Sequence, residues 1–355
     1  MFGPGSILGI LGGGQLARML ALAAAPLGIR THIYAPEAEL PAADCVAAVT
    51  RASYDDAAAL EGFARSVDVI SCEFENVPAA ALALLESLRP VRPGHQAFDV
   101  AQDRAAEKRF VEALGIRPAP WRTVDSLAEL EAAIDVLGLP AILKTRRMGY
   151  DGKGQVRLDS AAQAADALAG TGDGTGLILE GFVRFSAEFS IIVARGPDGA
   201  EAHYPPVENV HEGGILRQSR VPARGISAAH LEAATAMTVR IADALDYVGV
   251  LACEWFAADD GPVFNEMAPR VHNSGHWTIE GAQTSQFAQH VRAVCGLPLG
   301  PVRLMAPEVV MDNLLGTERD DWARLLAEGG AVHLYGKRDA APGRKMGHVT
   351  WLKDG

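Results

Sequence analysis

The chain has 355 residues, 49% of them hydrophobic and 21% charged, which is enough apolar material for two or three packed domains and too much for a disordered polymer. Its 32 lysines and arginines stand against 44 aspartates and glutamates, a formal charge of −12, so nothing in the balance draws it to nucleic acid or to an anionic membrane surface. Anionic ligands would need local basic groups, backbone amides or a metal.

The first hundred residues alternate short apolar runs with helical patterns. Residues 6–11 read as a buried strand, 15–25 as a helix after a glycine turn, 31–34 as a strand, 55–64 as a helix and 67–72 as a strand. That alternation predicts a parallel sheet with helices on both faces. A helix is expected from about 101 to 114, with Asp103, Arg104, Glu107, Lys108 and Arg109 on its polar side. A second, over 126–137, has Ser126 as cap and Glu129 three residues on. Residues 139–145 form a strand containing a lysine, and 146–222 turn towards strands and glycine loops. A long helix (228–245), a hairpin (249–267) and a helix near 285–294 follow, and the remainder reads as short strands and turns. No long uncharged apolar run predicts a membrane span. The N-terminus lacks a basic stretch, and the four cysteines show no C-x-x-C pair, so free thiols in a reducing cytoplasm are expected.

The hairpin LACEWFAADDGPVFNEMAP carries the first chemical signal. With the turn centred on Asp260, Glu254 and Glu266 stand six residues either side and face each other, Cβ atoms about 4.5–5.5 Å apart. Two half-buried carboxylates that close repel. Neither strand offers a lysine or arginine before Arg270, so a divalent cation is the expected compensation, with Asn265 as a further oxygen donor. Mg²⁺ suits such a site, because phosphate and water complete its octahedron. A solvated face would satisfy the same spacing.

Four weaker signals accompany it. In RRMGYDGKGQ (146–155), Gly149, Gly152 and Gly154 around Lys153 suit a loop that folds over phosphates, although an ordinary turn at Tyr150-Asp151-Gly152 fits as well. Lys144, inside the strand LPAILKT, needs a partner such as phosphate unless it snorkels from an edge. LILEGFV could bring backbone against a flat base while Glu180 stays polar, or be a core strand. Gly12-x-Gly14-x-x-Ala17, with Glu37 about 20 residues on, matches a relaxed dinucleotide fingerprint and keeps an NAD-dependent dehydrogenase open beside a phosphate at the helix N-terminus.

Taken in order, GGGQLARM, CEFENV (72–77), Lys144, GYDGKGQ (149–155), EGFV (180–183), EFS (188–190), Glu254, NEMAPRVHNSGHWT (265–278) and GRKMGH (343–348) carry a resemblance over nearly the whole chain. The sequence resembles the ATP-grasp superfamily, and within it the N5-carboxyaminoimidazole ribonucleotide synthetase family of purine biosynthesis. The resemblance implies a mixed α/β and α+β fold. A Rossmann-like parallel-sheet domain would span 1–100, an ATP-grasp domain 101–296 with a mobile lid near 146–205, and a small mostly-β domain 297–355.

It also implies residue roles. Arg104 and Lys144 would contact ATP, the loop Gly149, Tyr150, Asp151, Gly152, Lys153, Gly154 and Gln155 would close over its phosphates, and Glu180, Gly181, Phe182 and Val183 would present backbone to adenine. Glu188 would take the ribose hydroxyls, with His211, Asn265 and Glu266 beside the nucleotide. Mg²⁺, or Mn²⁺ in its place, would sit on Glu254 and Glu266; neither NAD nor biotin is expected. Bicarbonate would attack the γ-phosphorus to give carboxyphosphate, and the amine of 5-aminoimidazole ribonucleotide would capture it. Arg270 would steady the oxyanion, Lys153 the phosphates, and Asp151 the amine. The ribonucleotide would be held by Gly14, Gln15, Leu16, Glu73, Asn76, Tyr150, His272, Asn273, Ser274, Lys337, Arg344 and Lys345. Ala341 stands where the family usually has an arginine, with Arg338 a substitute, and relatives commonly carry a helix after VTWLKDG. A homodimer is implied. Another ATP-grasp ligase, such as a ribonucleotide transformylase or another carboxylase, and a nucleotide-binding regulator without turnover remain alternatives.

Overall fold

The computed structural model describes residues 1–149, 154–171 and 174–354. The first domain holds β1 (Ile7–Leu11), α1 (Gln15–Ala24), β2 (Arg30–Tyr34), β3 (Ala48–Thr50), α2 (Ala57–Ser66), β4 (Val69–Cys72), α3 (Ala79–Glu86) and α4 (His95–Ala101). Its strands pair in parallel in the order β3-β2-β1-β4. Leu8, Ile10 and Ile33 pack with α1 on one face, and Leu11, Tyr34 and Ile70 pack with Leu60, Phe63 and Leu82 on the other. Helices cover both faces, as the apolar runs predicted.

The helix expected from 101 is not continuous with what precedes it. α5 (Arg104–Ala113) begins afresh at Asp103, whose carboxylate accepts the Ala105 and Ala106 amides at 2.9 and 3.1 Å. β5 (Trp121–Val124), α6 (Leu127–Leu137), β6 (Ala141–Thr145), β7 (Gln155–Leu158), α7 (Ala164–Gly170) and β8 (Leu177–Gly181) then form a small antiparallel sheet, ordered β5-β8-β6-β7. The predicted cap holds: Ser126 Oγ accepts the Glu129 amide, and Glu129 returns a carboxylate to the Asp125 amide.

The second sheet is large. Its segment contains β9 (Ala187–Arg195), β10 (Glu201–His203), β11 (Val207–Glu212), β12 (Ile215–Val221), α8 (Ala228–Ala244), β13 (Gly249–Ala258) and β14 (Gly261–Ala268). After these come α9 (Thr278–Gly281), α10 (Gln286–Val294), β15 (Glu308–Leu315), α11 (Trp322–Ala327), β16 (Ala331–Leu334) and β17 (Lys345–Lys353). Nine strands run β14-β13-β9-β11-β12-β15-β17-β16, with β10 on β9. The last three strands therefore extend the sheet that carries the β13–β14 hairpin, and the tail is hydrogen-bonded into it. The small sheet gathers strands from 121 to 181, while β9 and β10 lie in the large one. β14 is an edge, and its outward amides are covered: Phe264 donates to Arg117 O at 2.9 Å and Met267 to Glu107 Oε1 at 2.6 Å.

No helix among the described residues is long and apolar enough to cross a membrane. The four cysteines are free thiols, with Cys72, Cys253 and Cys295 buried.

Candidate active site between the two sheets

Glu254 and Glu266 are cross-strand partners, but by a different route from the expected one. Next to the turn, Ala258 pairs with Gly261 and Trp255 with Phe264, a register centred between Asp259 and Asp260. Continued unchanged, it would set Glu254 opposite Asn265 and send Glu266 to the other face. A β-bulge between Glu254 and Trp255 leaves Asn265 without a cross-strand partner and restores the pair.

The charge of Glu266 is balanced from outside the hairpin, so a cation is not the sole compensation of the pair. Arg104 Nη1 donates to Glu266 Oε2 at 2.8 Å. Burial works to raise the Glu266 carboxyl, but Arg104 outweighs it and holds the group well below the usual carboxylate range. Burial and the facing Glu266 push Glu254 up, and the ring nitrogen in contact with it, His272 Nε2 at 3.5 Å, brings no charge. A half-buried pair of oxygen donors, one of them short of positive charge, fits a hard divalent ion that takes phosphate and water for its other positions. Among the described residues no cluster of three or more metal-ligating side chains occurs, so such an ion would rest on these two glutamates and on its ligands.

Arg104 arrives on α5, and so do other charges. Asp103 binds Arg146 Nη2 at 2.7 Å, Glu107 holds the Met267 amide, and Lys108 lies 3.1 Å from Glu180 Oε1. Most of the predicted polar side of this helix therefore faces inward, with Glu107 and Lys108 each 1% exposed, while Arg109 stays at the surface. The i, i+3, i+4 spacing of Arg104, Glu107 and Lys108 was the available signal that all three share a face.

Lys144, buried as expected, finds its partner in a protein group and not only in a ligand: Nζ donates to Glu180 Oε2 at 2.7 Å from the neighbouring strand. The Glu180 side chain is thus internal. Of the EGFV backbone, the Gly181 and Phe182 amides already donate to Pro120 O and Pro140 O, so a base approaching here would meet Val183 and the carbonyl groups. Glu188 and His211, expected to meet the nucleotide separately, pair with each other at 2.6 Å across β9 and β11. Burial alone would lower the His211 imidazole; the Glu188 carboxylate outweighs it and raises it. Gly149, Gly154 and Gln155 flank the glycine loop. Gly154 has φ +72°, and a Cβ there would stand 2.7 Å from Thr145 Oγ1, so glycine is needed. Tyr150, Asp151, Gly152 and Lys153 lie outside the described residues.

Arg270 joins the two halves of the site. Its Nε donates to Glu75 Oε2 at 2.5 Å and Nη1 to Val271 O at 3.1 Å, while its charge acts on both Glu266 and Glu73. Glu75 belongs to the CEFENV motif but was not singled out in it. It reaches Arg270 across the domain boundary, and Gln102 holds its loop by bonding Glu75 O and Val77 O. Asn76, half-buried, sits in the same turn.

The glycine turn serves a carboxylate. Glu73 accepts the Gly14 amide and, at 2.9 Å, the Ala17 amide, so it occupies part of the α1 N-terminus. A Cβ on Gly12 would run into the Glu73 side chain, and one on Gly14 would stand 2.8 Å from its Oε1. These glycines admit Glu73, which takes the Gly14 and Ala17 amides that the dinucleotide fingerprint would offer to a pyrophosphate, and this weakens the physical basis of the NAD reading. For the ribonucleotide phosphate, the correction is that Gly14 and Glu73 are bonded to each other, leaving the Gln15 and Leu16 amides as the donors between them.

His272, Asn273 and Ser274 form a buried turn: His272 Nδ1 pairs with Ser274 Oγ at 2.8 Å, and Gln286 Oε1 takes the His272 amide. Burial, with Arg270 and Lys345 nearby, pushes the His272 imidazole down to about 3, so it stays neutral. Both polar atoms of the Asn273 amide are buried without a hydrogen-bond partner among the described residues. From the tail, Lys345 opens β17 close enough to act on Glu254, His211 and His272. Lys337 Nζ donates to Lys345 O at 2.7 Å. Arg344 reaches Glu39 at 3.2 Å, and Glu39 also accepts the Arg338 amide at 2.6 Å. Arg338 is therefore tied to the first domain by its backbone, and Glu39 is a tail anchor that no motif flagged.

Comparisons with known proteins agree with this geometry. The ribonucleotide synthetase preATP-grasp domain model matches residues 6–102, the ATP-grasp domain model 109–287, and the phosphoribosylaminoimidazole carboxylase C-terminal domain model 309–355. An N5-carboxyaminoimidazole ribonucleotide synthase of Brucella melitensis is 50% identical over 354 residues, 99% of this chain and 97% of its own length. The N5-carboxyaminoimidazole ribonucleotide synthetase of Thermus thermophilus superposes with a TM-score of 0.92 at 48% identity, covering 98% of this chain and 94% of that one. N5-carboxyaminoimidazole synthase of Aspergillus clavatus, in complex with ADP and 5-aminoimidazole ribonucleotide, gives 0.90 at 32% identity, covering 99% and 95%. The chain belongs to the ATP-grasp superfamily and, within it, to the N5-carboxyaminoimidazole ribonucleotide synthase family.

Proposed function

We propose that this enzyme carboxylates the exocyclic amine of 5-aminoimidazole ribonucleotide at the expense of ATP, with bicarbonate as the carbon source. ADP and phosphate leave, and N5-carboxyaminoimidazole ribonucleotide enters purine biosynthesis. The observation that carries the reading is Arg270, fixed by Glu75 between the Glu266 side of the cleft and the Glu73 side. An arginine so placed can meet an anion formed from the nucleotide and delivered to a second substrate.

The steps need positioning and charge more than covalent help from the protein. Bicarbonate oxygen attacks the γ-phosphorus and ADP leaves; the substrate amine then attacks the carboxyl carbon and phosphate leaves. Arg104 and Lys144 orient the phosphates from one side. Arg270 stabilises the carboxyphosphate oxyanion with a charged donor in a low-dielectric site. Neutral His272 and Lys345 border the same space, and Asn273 offers its amide. Asp151 and Lys153 are assigned to the amine and the phosphates. Glu254 and Glu266 would hold Mg²⁺, or Mn²⁺, which when bound neutralises phosphate charge. Gln15, Leu16, Lys337, Arg344 and Lys345 are the groups we assign to the ribonucleotide phosphate. We divide the chain at about residues 100 and 296 into three domains, place the enzyme in the cytoplasm, and take it to be a homodimer.

The test measures ADP release with each substrate omitted in turn. Release should require both bicarbonate and 5-aminoimidazole ribonucleotide. Release indifferent to the ribonucleotide would remove the substrate assignment and leave only an ATPase of this fold.

A further inference from the structure

The mechanism above leaves Lys108 without a role. Its side chain is 1% exposed, so no ligand touches it, yet its ammonium lies 3.1 Å from Glu180 Oε1 while Lys144 holds Oε2 of the same carboxylate at 2.7 Å. The contact is electrostatic: neither Lys108 Nζ nor Glu180 Oε1 has an aligned hydrogen-bond partner. Two buried ammonium groups on one carboxylate repel each other, and a buried ammonium is costly to desolvate, so an apolar side chain would serve packing better. The other acid on this helix face, Glu107, is committed to the Met267 amide.

We propose that Lys108 is a positioning residue for the nucleotide: by holding half of Glu180 it keeps Lys144 from being neutralised, so that Lys144 presents net positive charge to the phosphates. Without Lys108, Glu180 closes fully on Lys144, and an incoming phosphate must compete with a dedicated carboxylate. The inference rests on the nucleotide-binding part of the proposed function and is independent of the second substrate. It concerns residues 104–108, which fall between the two family models that end at 102 and begin at 109.

The test is calorimetric titration with Mg-ADP, together with steady-state KM values, on the full-length enzyme. Lys108→Met should weaken ADP binding and raise KM for ATP about tenfold, with KM for the ribonucleotide unchanged and Lys108→Arg close to wild type. The double variant Lys108→Met/Glu180→Gln should return ADP affinity to within about threefold of wild type, because Lys144 is then free of its carboxylate. A folded Lys108→Met with wild-type ADP affinity overturns the proposal, as does a double variant no tighter than the single one. Should Lys108→Met fail to fold, the double variant decides: a loss of about tenfold or more against wild type refutes the idea. Since ADP binding needs no turnover, a wild-type enzyme inactive on the ribonucleotide would count against the proposed function alone.

Discussion

The two sides of the cleft are built on different plans. On the nucleotide side the charged groups are already paired with one another: Lys144 and Lys108 with Glu180, Arg104 with Glu266, His211 with Glu188. On the ribonucleotide side, Arg270 also has its carboxylate, Glu75, but the neutral Asn273 amide is buried without a hydrogen-bond partner at either atom among the described residues, and the tail is fastened by contacts such as Arg344 to Glu39, 305 positions apart. A pre-paired site keeps its side chains in place unaided, and ligand binding there is an exchange of partners. The other side takes its shape from domain packing. Substitutions on the first should register in stability and nucleotide affinity together; on the second they should spare stability and strike turnover.

The largest expected effect is at the boundary. Glu266→Gln removes a cation ligand and releases Arg104, and should lower kcat/KM about a thousandfold and stability by about 1 kcal/mol, with unfolding still cooperative; activity close to wild type would sink the ligand assignment. Glu180→Gln strands two buried ammonium groups, and chemical denaturation should show a loss of about 3–5 kcal/mol. A loss below about 1 kcal/mol would mean the lysines find other partners and the side is not pre-paired. Arg270→Lys keeps the charge but cannot reproduce the fork to Glu75 and Val271 O; kcat should fall about a hundredfold with KM for ATP and thermal stability nearly unchanged. An equal fall in stability would erase the contrast between the two sides. Smallest of all, Glu37→Ala should change kcat/KM by less than about twofold, because exposed Glu37 belongs only to the discarded dinucleotide reading.

Much of the fold was legible. The parallel sheet with both faces covered, the Ser126 cap and the hairpin all follow from local rules that act within a few residues. The glutamate pair was legible too, yet its register was half right: a turn centred between Asp259 and Asp260 alone would have separated the carboxylates, and the bulge at Asn265 reunites them. α5 was expected from 101 and begins at Arg104, and only packing shows which of its charges are buried.

Sequence alone determined that short strands alternate with helices in the first hundred residues, that Glu254 and Glu266 stand on the two arms of one hairpin, and, through the ordered motifs, the family. Tertiary structure alone decided which charge neutralises which: Arg104 on Glu266 across 162 positions, Arg270 on Glu75 across 195, Glu73 on the Gly14 amide across 59. The reason is physical. Periodicity and capping are properties of neighbouring residues, whereas the partner of a buried charge is set by which elements approach it and by how much water they exclude.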